Sequence, residues 1–418
     1  MPLAIHVLRK FEPQAWGGIE THLLGLLPEL ARLGWDSEVH APAEVGTDGE
    51  PLRRIGATFR TFRAHYPYIG MSAPDRARLV ASGGNLVSPG ELVALLGARR
   101  ASVLHTHTGG RLGGVVRTAA RLRGIPFATT LHGPVRAGAA TIERDMAAHT
   151  KPLVDLGAPF GMLVGARHVA AEADLLYTLN RAEHAAWESD RAGRHLALVT
   201  LGVSLDRATQ DDRAAARASI PELGDAPFVV VVGRKERSKG QDLAVAAFRR
   251  AAPAGVHLVV AGAEMDPTFA AELALSAAGD PRIHLVPSVS PRVARALLAE
   301  AITVLIPSRS EPFGLVLLEA WAEGTPAVFA GVGGLIDIAR VASGGSGLVD
   351  EPTEITLGAR LGAALASQTF RASEAAAGPG RVAAHFSWRA LAETIANDYD
   401  RVAAQSARRR TFLVGSAA

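Results

Sequence analysis

The stretch FVVVVGRKERSKGQDLAVAAFRRA, residues 228–251, decides the fold. Phe228–Val232 is an unbroken apolar run of mostly β-branched residues, as in a strand buried on both faces of a parallel sheet. Gly233 then turns the chain into a polar loop carrying Arg234 and Lys239, and after Gly240 a helix is predicted over Leu243–Arg250. A strand, a glycine-bounded basic loop and a helix start suit a diphosphate. Glycine admits close backbone approach, the helix N-terminus favours anions, and the two cations neutralise charge developing on a leaving group. No Gly-Lys-Ser/Thr closes the loop, so it is not a Walker A element. On spacing alone, a solvated charged turn fits equally well.

The same alternation continues outward in both directions. Strands are expected at His257–Ala261, Ile283–Val286, Ala301–Ile306 and Ala327–Phe329, and earlier at Ile5–Leu8, Ser37–His40, Val103–Thr106, Phe127–Leu131 and Asp174–Leu179. Helical stretches lie between them, for example over Val115–Arg123, and strands separated by helices describe parallel α/β sheets. The predicted class is α/β, with two doubly wound domains. The first covers 1–206 and closes with VTLGVSLD; the polar, Ala- and Arg-rich 207–225 reads as a linker; the second covers 226–387. A last helix and tail, 388–418, is expected to pack back on the first domain, and Tyr66–Asn85, interrupted by Gly and Pro, reads as an irregular surface loop.

Composition narrows the function classes. Hydrophobic residues at 48% and charged residues at 20% exclude global disorder, and aromatics at 5% leave the cores to Leu, Val, Ile and Ala. The absence of cysteine excludes disulfides, thiolate metal sites and a cysteine nucleophile. No apolar run approaches the roughly 20 residues that cross a bilayer, and a strand begins almost at once, so no signal peptide is expected. The reading is of a cytoplasmic protein. Its net charge of +3 is scattered among acids apart from Ser406–Arg410, without the basic, aromatic-interleaved face of a nucleic-acid reader. Lysine occurs only at Lys10, Lys151, Lys235 and Lys239, so two lysines in one loop of an arginine-using chain point to chemistry.

A second motif, EPFGLVLLE at 311–319, follows the strand ending at Ile306 and the loop Pro307–Ser310. Glu311 on the loop can reach sugar hydroxyls, and Glu319 on the helix opened by Gly314 can accept hydrogen bonds from a ribose diol. Backbone N–H groups near Gly314 and Leu315 would face phosphate. The plain alternative is an acid favoured by the helix dipole.

The basic loop G-R-x4-K-G followed by E-x7-E resembles glycosyltransferase family 4, a retaining family of the GT-B fold. Gly17-Gly18, Thr130-Leu131-His132-Gly133, Gly202-Val203-x2-Asp206, Gly331-Val-Gly-Gly334 and Ser346-Gly347-Leu348-Val349 fit in the same order, so the resemblance covers nearly the whole chain. It implies two Rossmann-like domains facing a central cleft, the first binding the acceptor and the second the nucleotide-sugar donor. His132, Arg234, Lys239 and Glu311 would be catalytic. Arg234 and Lys239 would hold the diphosphate, Glu319 the ribose, Glu311 the transferred sugar, and His132 a hydroxyl near its C6 end. Gly17, Gly18, Gly233, Phe313, Gly314 and Leu315 would complete the donor site, with Trp16 and His107 beside the acceptor. The implied reaction is retaining transfer of a hexosyl group from a UDP- or GDP-sugar to a hydroxyl of a small-molecule or lipid/glycan acceptor, in secondary metabolite or glycan biosynthesis. It needs no cofactor and no metal, and a homodimer is compatible with it. Two departures bear on donor details: Asp337 stands where the family often has Glu, and Leu201 where it often has Asn.

Rival readings are a GT-B epimerase or phosphorylase, or a non-catalytic nucleotide-sugar-binding subunit. The near absence of lysine from the late second half argues against a pyridoxal-type phosphorylase, and intact His132, Lys239 and Glu311 argue against a non-catalytic subunit. Asp398-Tyr399-Asp400 matches a metal-binding D-x-D but lies in the last helix, and is read as surface. His105-x-His107 could ligate a metal from one strand face, yet no third ligand is apparent in the sequence.

Overall fold

The computed structural model describes residues 1–12, 17–44, 48–81, 83–133, 135–136, 154–191 and 193–415. The chain divides into two compact units, Gly17–Thr200 with the N-terminal residues and Trp388–Ala418, and Leu201–Ser387. Among the described residues no helix is long and apolar enough to cross a membrane.

Among the described residues, the main sheet of the first unit holds seven strands: β1 Leu3–Val7, β2 Asp36–Pro42, β3 Thr58–Phe62, β4 Ala101–Thr106, β5 Phe127–Leu131, β6 Leu175–Thr178 and β7 His195–Leu198. All pair in parallel, in the order β3-β2-β1-β4-β5-β6-β7. The chain starts in the middle, winds to one edge and returns to build the other, so the order reverses beside β1, where open α/β sheets collect ligands. Two strands, β3 and β7, escape the sequence pattern. They are edge strands with mostly half-exposed or exposed residues, so neither carries an apolar run. Tyr66–Asn85 is more regular than expected, with a short strand Tyr68–Ile69 and a helix Ala73–Ala81. Pro74, which reads as a breaker, falls in the first turn of that helix, where a missing N–H costs nothing.

The C-terminal helix Trp388–Gly415 belongs to this unit and corrects the reading of the D-x-D residues as surface. Tyr399 is fully buried and sets its ring against Trp35. Asp398 is buried too, accepting a hydrogen bond from Tyr177 at 3.1 Å and pairing with His195 at 2.8 Å. Only Asp400, turned a further 100° or so round the helix, is exposed. The pair therefore anchors the helix.

The second unit repeats the winding with β8 Phe228–Val232, β9 His257–Ala261, β10 Ile283–Val286, β11 Thr303–Ile306, β12 Ala327–Ala330 and β13 Leu348–Val349. Its parallel order is β10-β9-β8-β11-β12-β13. The stretch 207–225, read as a linker, instead folds into the helix Gln210–Ala218, opened by a capping box between Thr209 and Asp212. Its buried face rests on Ala216, so no large apolar residue marks it, while Arg213 and Arg217 pair with Glu300.

Candidate active site

The basic loop leaves β8 at Gly233, makes a single tight turn over Arg237–Lys239 and enters the helix Gln241–Ala251 through Gly240, whose φ is 68°. A Cβ on Gly240 would stand 2.1 Å from the Pro307 carbonyl oxygen, so the loop after β11 presses directly on the basic loop. Two backbone bonds fasten them, with the Arg309 and Ser310 N–H groups donating to the Ser238 carbonyl at 2.8 and 3.2 Å. The Arg309 guanidinium grips both oxygens of Asp242 at 2.7 Å. These contacts bring the two sequence motifs into one cluster. Lys239 Nζ donates to Glu311 Oε2 at 2.8 Å, and the Ser308 hydroxyl donates to the same oxygen at 3.2 Å. The Arg234 side chain is 41% exposed, pairs with Glu236 at 3.3 Å, and so is available to a ligand. The loop's other lysine differs: the Lys235 side chain is 3% exposed, pairs with Glu264 and belongs to the packing.

The late glycine turn seats this loop. The Gly334 N–H donates to the Glu311 carbonyl at 2.9 Å, and a Cβ on Gly334 would come within 2.4 Å of the Phe313 backbone. Phe313 is buried, while Leu315 begins the helix Leu315–Glu323 behind Gly314, whose φ is 108°. That helix carries two buried acids in opposite states. Glu323 is satisfied by Arg295 at 2.6 Å and by the Ala208 N–H at 3.2 Å. Glu319 is 4% exposed, and its Oε2 has no hydrogen-bond partner among the described residues. Burial pushes its carboxyl up to about 7, with Arg295 opposing and Glu323 adding to the rise. An unpaired buried carboxyl is costly unless a ligand supplies the donors, as a pair of hydroxyls would.

The first unit carries the remaining residues. Gly17 caps the helix Gly18–Arg32, and the buried Glu20 curls back beneath it so closely that a Cβ on Gly17 would meet Glu20 Oε2 at 1.9 Å. Glu20 also accepts from the Glu12 N–H at 3.1 Å, so a carboxylate lies at this helix start, beside the exposed Gly18. Trp16 and most of the Gly133–Lys151 loop lie outside the described residues. His132 follows β5 and is half-buried, with Nε2 2.9 Å from His107 Nδ1. His107 sits behind it, 3% exposed, and its Nε2 lies 3.1 Å from His6 Nδ1.

The expectation that His105 and His107 lack a third ligand is corrected here. One nitrogen each of His6, His105 and His107, and likewise of His22, His107 and His132, fall within 4.8 Å of one another. Their convergence comes from sheet order: His6 on β1 and His105 on β4 are register partners. Burial holds the rings neutral, taking His6 and His22 down to about 3 and His105, His107 and His132 well below the usual imidazole range.

Two parallel α/β units of Rossmann-like order, with a basic glycine loop in contact with Glu311 at the strand ends of the second, define the GT-B class of glycosyltransferases. HepE from Anabaena, solved in complex with UDP and glucose, matches this fold over 95% of the chain and 99% of its own, with a TM-score of 0.71 at 16% identity. Sucrose-phosphate synthase from Thermosynechococcus elongatus matches over 96% and 99%, with a TM-score of 0.69 at 22% identity. In sequence, the model of glycosyl transferases group 1 matches residues 212–377, and that of the glycosyl transferase 4-like domain residues 17–199. D-inositol 3-phosphate glycosyltransferase from Mycobacteroides abscessus is 31% identical over 409 residues, covering 93% of this chain and 85% of that one. The protein of the same name from Geodermatophilus obscurus is 31% identical over 432 residues, covering 97% and 90%. The chain belongs to glycosyltransferase family 4 and is a glycosyltransferase.

Proposed function

We propose that the enzyme transfers a hexosyl group from a UDP- or GDP-sugar to a hydroxyl of a small-molecule or lipid/glycan acceptor, with retention at the anomeric carbon and without a metal. The observation that carries this reading is the contact of Lys239 with Glu311, the exposed Arg234 being on the same basic loop as Lys239 and the unpaired Glu319 on the helix that follows Glu311. Lys239 exchanges its bond to Glu311 for the donor diphosphate, and Arg234 joins it, so two fixed cations meet the charge that grows as the glycosidic oxygen leaves. Glu311, released from Lys239, turns to the hydroxyls of the transferred sugar, and Glu319 accepts from the ribose. The acceptor oxygen attacks on the face the nucleotide departs from, and its proton passes to the departing phosphate oxygen. Neither carboxylate is then required as a nucleophile. The name shared by the relatives makes a cyclitol phosphate the first acceptor to test.

The test is turnover in Arg234→Ala and, separately, Lys239→Ala, with circular dichroism to verify the fold and EDTA in the buffer. Each variant is expected to lose roughly 10²-fold or more in turnover, the usual worth of an electrostatic group at a reacting centre. The wild type is expected to keep its activity in EDTA. Near-normal turnover in both variants, or wild-type activity restored by Mg²⁺ or Mn²⁺ after EDTA, contradicts the reading.

A further inference from the structure

Leu131 and Thr178 are register partners at the ends of β5 and β6. The chain that leaves β5 at His132 and the chain that enters the helix Arg181–Glu188 at Asn180 therefore start side by side. The first of these has little packing of its own: a Cβ on Gly133 would meet nothing within 4 Å, and Val135 is exposed. It is held instead from the helix. Glutamate is rarely buried deeply unless its oxygens have partners, and Glu183, 2% exposed, has them on this segment. Its Oε2 accepts from the Val135 N–H at 3.2 Å, and its Oε1 from the Arg136 N–H at 3.1 Å and the Trp187 indole N–H at 2.8 Å. The Arg136 guanidinium lies 3.8 Å from the centroid of the Trp187 ring, donates to the Ala186 carbonyl at 3.1 Å and pairs with Asp190. Trp187 in turn packs in one buried cluster with Leu131, the residue before His132. Asn180 fixes the start of the helix, accepting from the Glu183 N–H at 2.8 Å.

We propose that Glu183 is a positioning residue for His132. By fixing the backbone N–H groups three and four residues further on, it sets the direction in which the His132 imidazole leaves β5. Three residues span at most about 11 Å, so the clamp lies close to the ring it orients. From the other side the ring is held by His107, whose Nδ1 stands 2.9 Å from His132 Nε2. A residue that only stabilised its own helix would be served by the bond to Trp187, one turn along. The bonds to Val135 and Arg136 reach out of the helix, onto the segment whose path decides where His132 points. The role rests on the sugar-transfer reading, in which His132 meets a hydroxyl of the transferred sugar. At such a contact a misplacement of about 1 Å costs up to roughly 10²-fold in rate.

The test is a double-mutant cycle on kcat in the full-length protein, with Tm followed throughout. Glu183→Gln keeps the volume but turns an NH₂ group toward the two backbone N–H groups; Glu183→Ala removes the clamp. Each should lower kcat by roughly 10-fold or more, with the affinity for UDP or GDP alone unchanged. In a His132→Ala background the same substitutions should cost no more than about 2-fold further, because the group they orient is gone. Glu172→Gln, which weakens the ion pairs with Arg117 and Arg121 on the helix Gly110–Arg123, should lower Tm and leave kcat unchanged, and so shows what lost stability alone does. Losses that multiply with that of His132→Ala, wild-type kcat in both Glu183 variants, or an equal loss of kcat in Glu172→Gln overturns the proposal and leaves the sugar-transfer reading standing. A His132→Ala enzyme that turns over like the wild type instead contradicts the reading of His132 at the sugar, and the proposal falls with it.

Discussion

Glu311 and Glu319 share one motif, yet the fold holds them in different states, and that difference predicts different failures. Glu311 is half-buried and paired with Lys239 and Ser308; in the proposed reaction its contacts to the transferred sugar tighten as the anomeric centre becomes cationic. Glu311→Gln should mainly lower kcat and leave UDP or GDP affinity nearly unchanged. Glu319, unpaired in the helix, is assigned to a part of the donor that does not change during reaction, so Glu319→Gln should mainly raise the donor KM. Titration calorimetry with nucleotide alone, alongside steady-state kinetics, separates the two; a reversed pattern contradicts the placement of the donor. Glu319 also carries a stability signature. Its folded carboxyl titrates at about 7 against an ordinary value of 4.5, so below pH 4.5 both folded and unfolded chains are protonated and no penalty exists. As pH rises from 4.5 to 7 the unfolded chain ionises first and the fold loses stability, by up to about 3 kcal/mol above pH 7. Glu319→Gln should therefore raise Tm at pH 8, with the gain fading toward pH 4.5. A Tm at pH 8 equal to or below that of the wild type contradicts this.

At the scale of elements, the site is a matter of which loops touch. Gly240 combines a positive φ with a Cβ position 2.1 Å from the Pro307 carbonyl, so a side chain there is strained twice over. Gly240→Ala should destabilise by about 2 kcal/mol or more and lower turnover further, by pushing the Glu311 loop off Lys239. Gly90→Ala, in the helix Pro89–Gly97 with open space at its Cβ, should be neutral or slightly stabilising. Urea unfolding compares the two, and equal midpoints would contradict the account. The sequence made some of these elements plain and hid others for physical reasons. Phe228–Val232 and His257–Ala261 stand with the expected bounds, because strands buried on both faces show as apolar runs, and the half-exposed edge strand Ile283–Val286 does so through its Ile, Leu and Val. The edge strands β3 and β7 and the alanine-faced helix Gln210–Ala218 bury too little large apolar surface to show. Lys239 and Glu311 were legible as motif residues. Ser308, which shares their bond, and the His6 and His22 that complete the imidazole cluster were not. They meet those partners only through sheet order and loop contact, which local spacing does not encode.

Over the whole molecule, two units of the same winding carry different side-chain clusters, the basic loop with Lys239 paired to Glu311 in one and the imidazoles of His6, His22, His105, His107 and His132 in the other. The two-part architecture was legible because the strand–helix alternation runs the full length of the chain, and the family motifs fall at the strand ends where the winding places loops. Acceptor choice was not legible, since no residue pattern names it. The central claim is retaining transfer from a nucleotide-sugar by fixed cations, and the configuration of the first product tests it most directly. UDP- and GDP-α-hexoses would be supplied in turn with a cyclitol phosphate, in EDTA, and the anomeric proton of the new glycoside followed by ¹H NMR from the start of turnover. The account predicts nucleoside diphosphate release together with an α-linked product showing a small anomeric coupling; a β-linked first product, or no transfer from any of these donors, would contradict it.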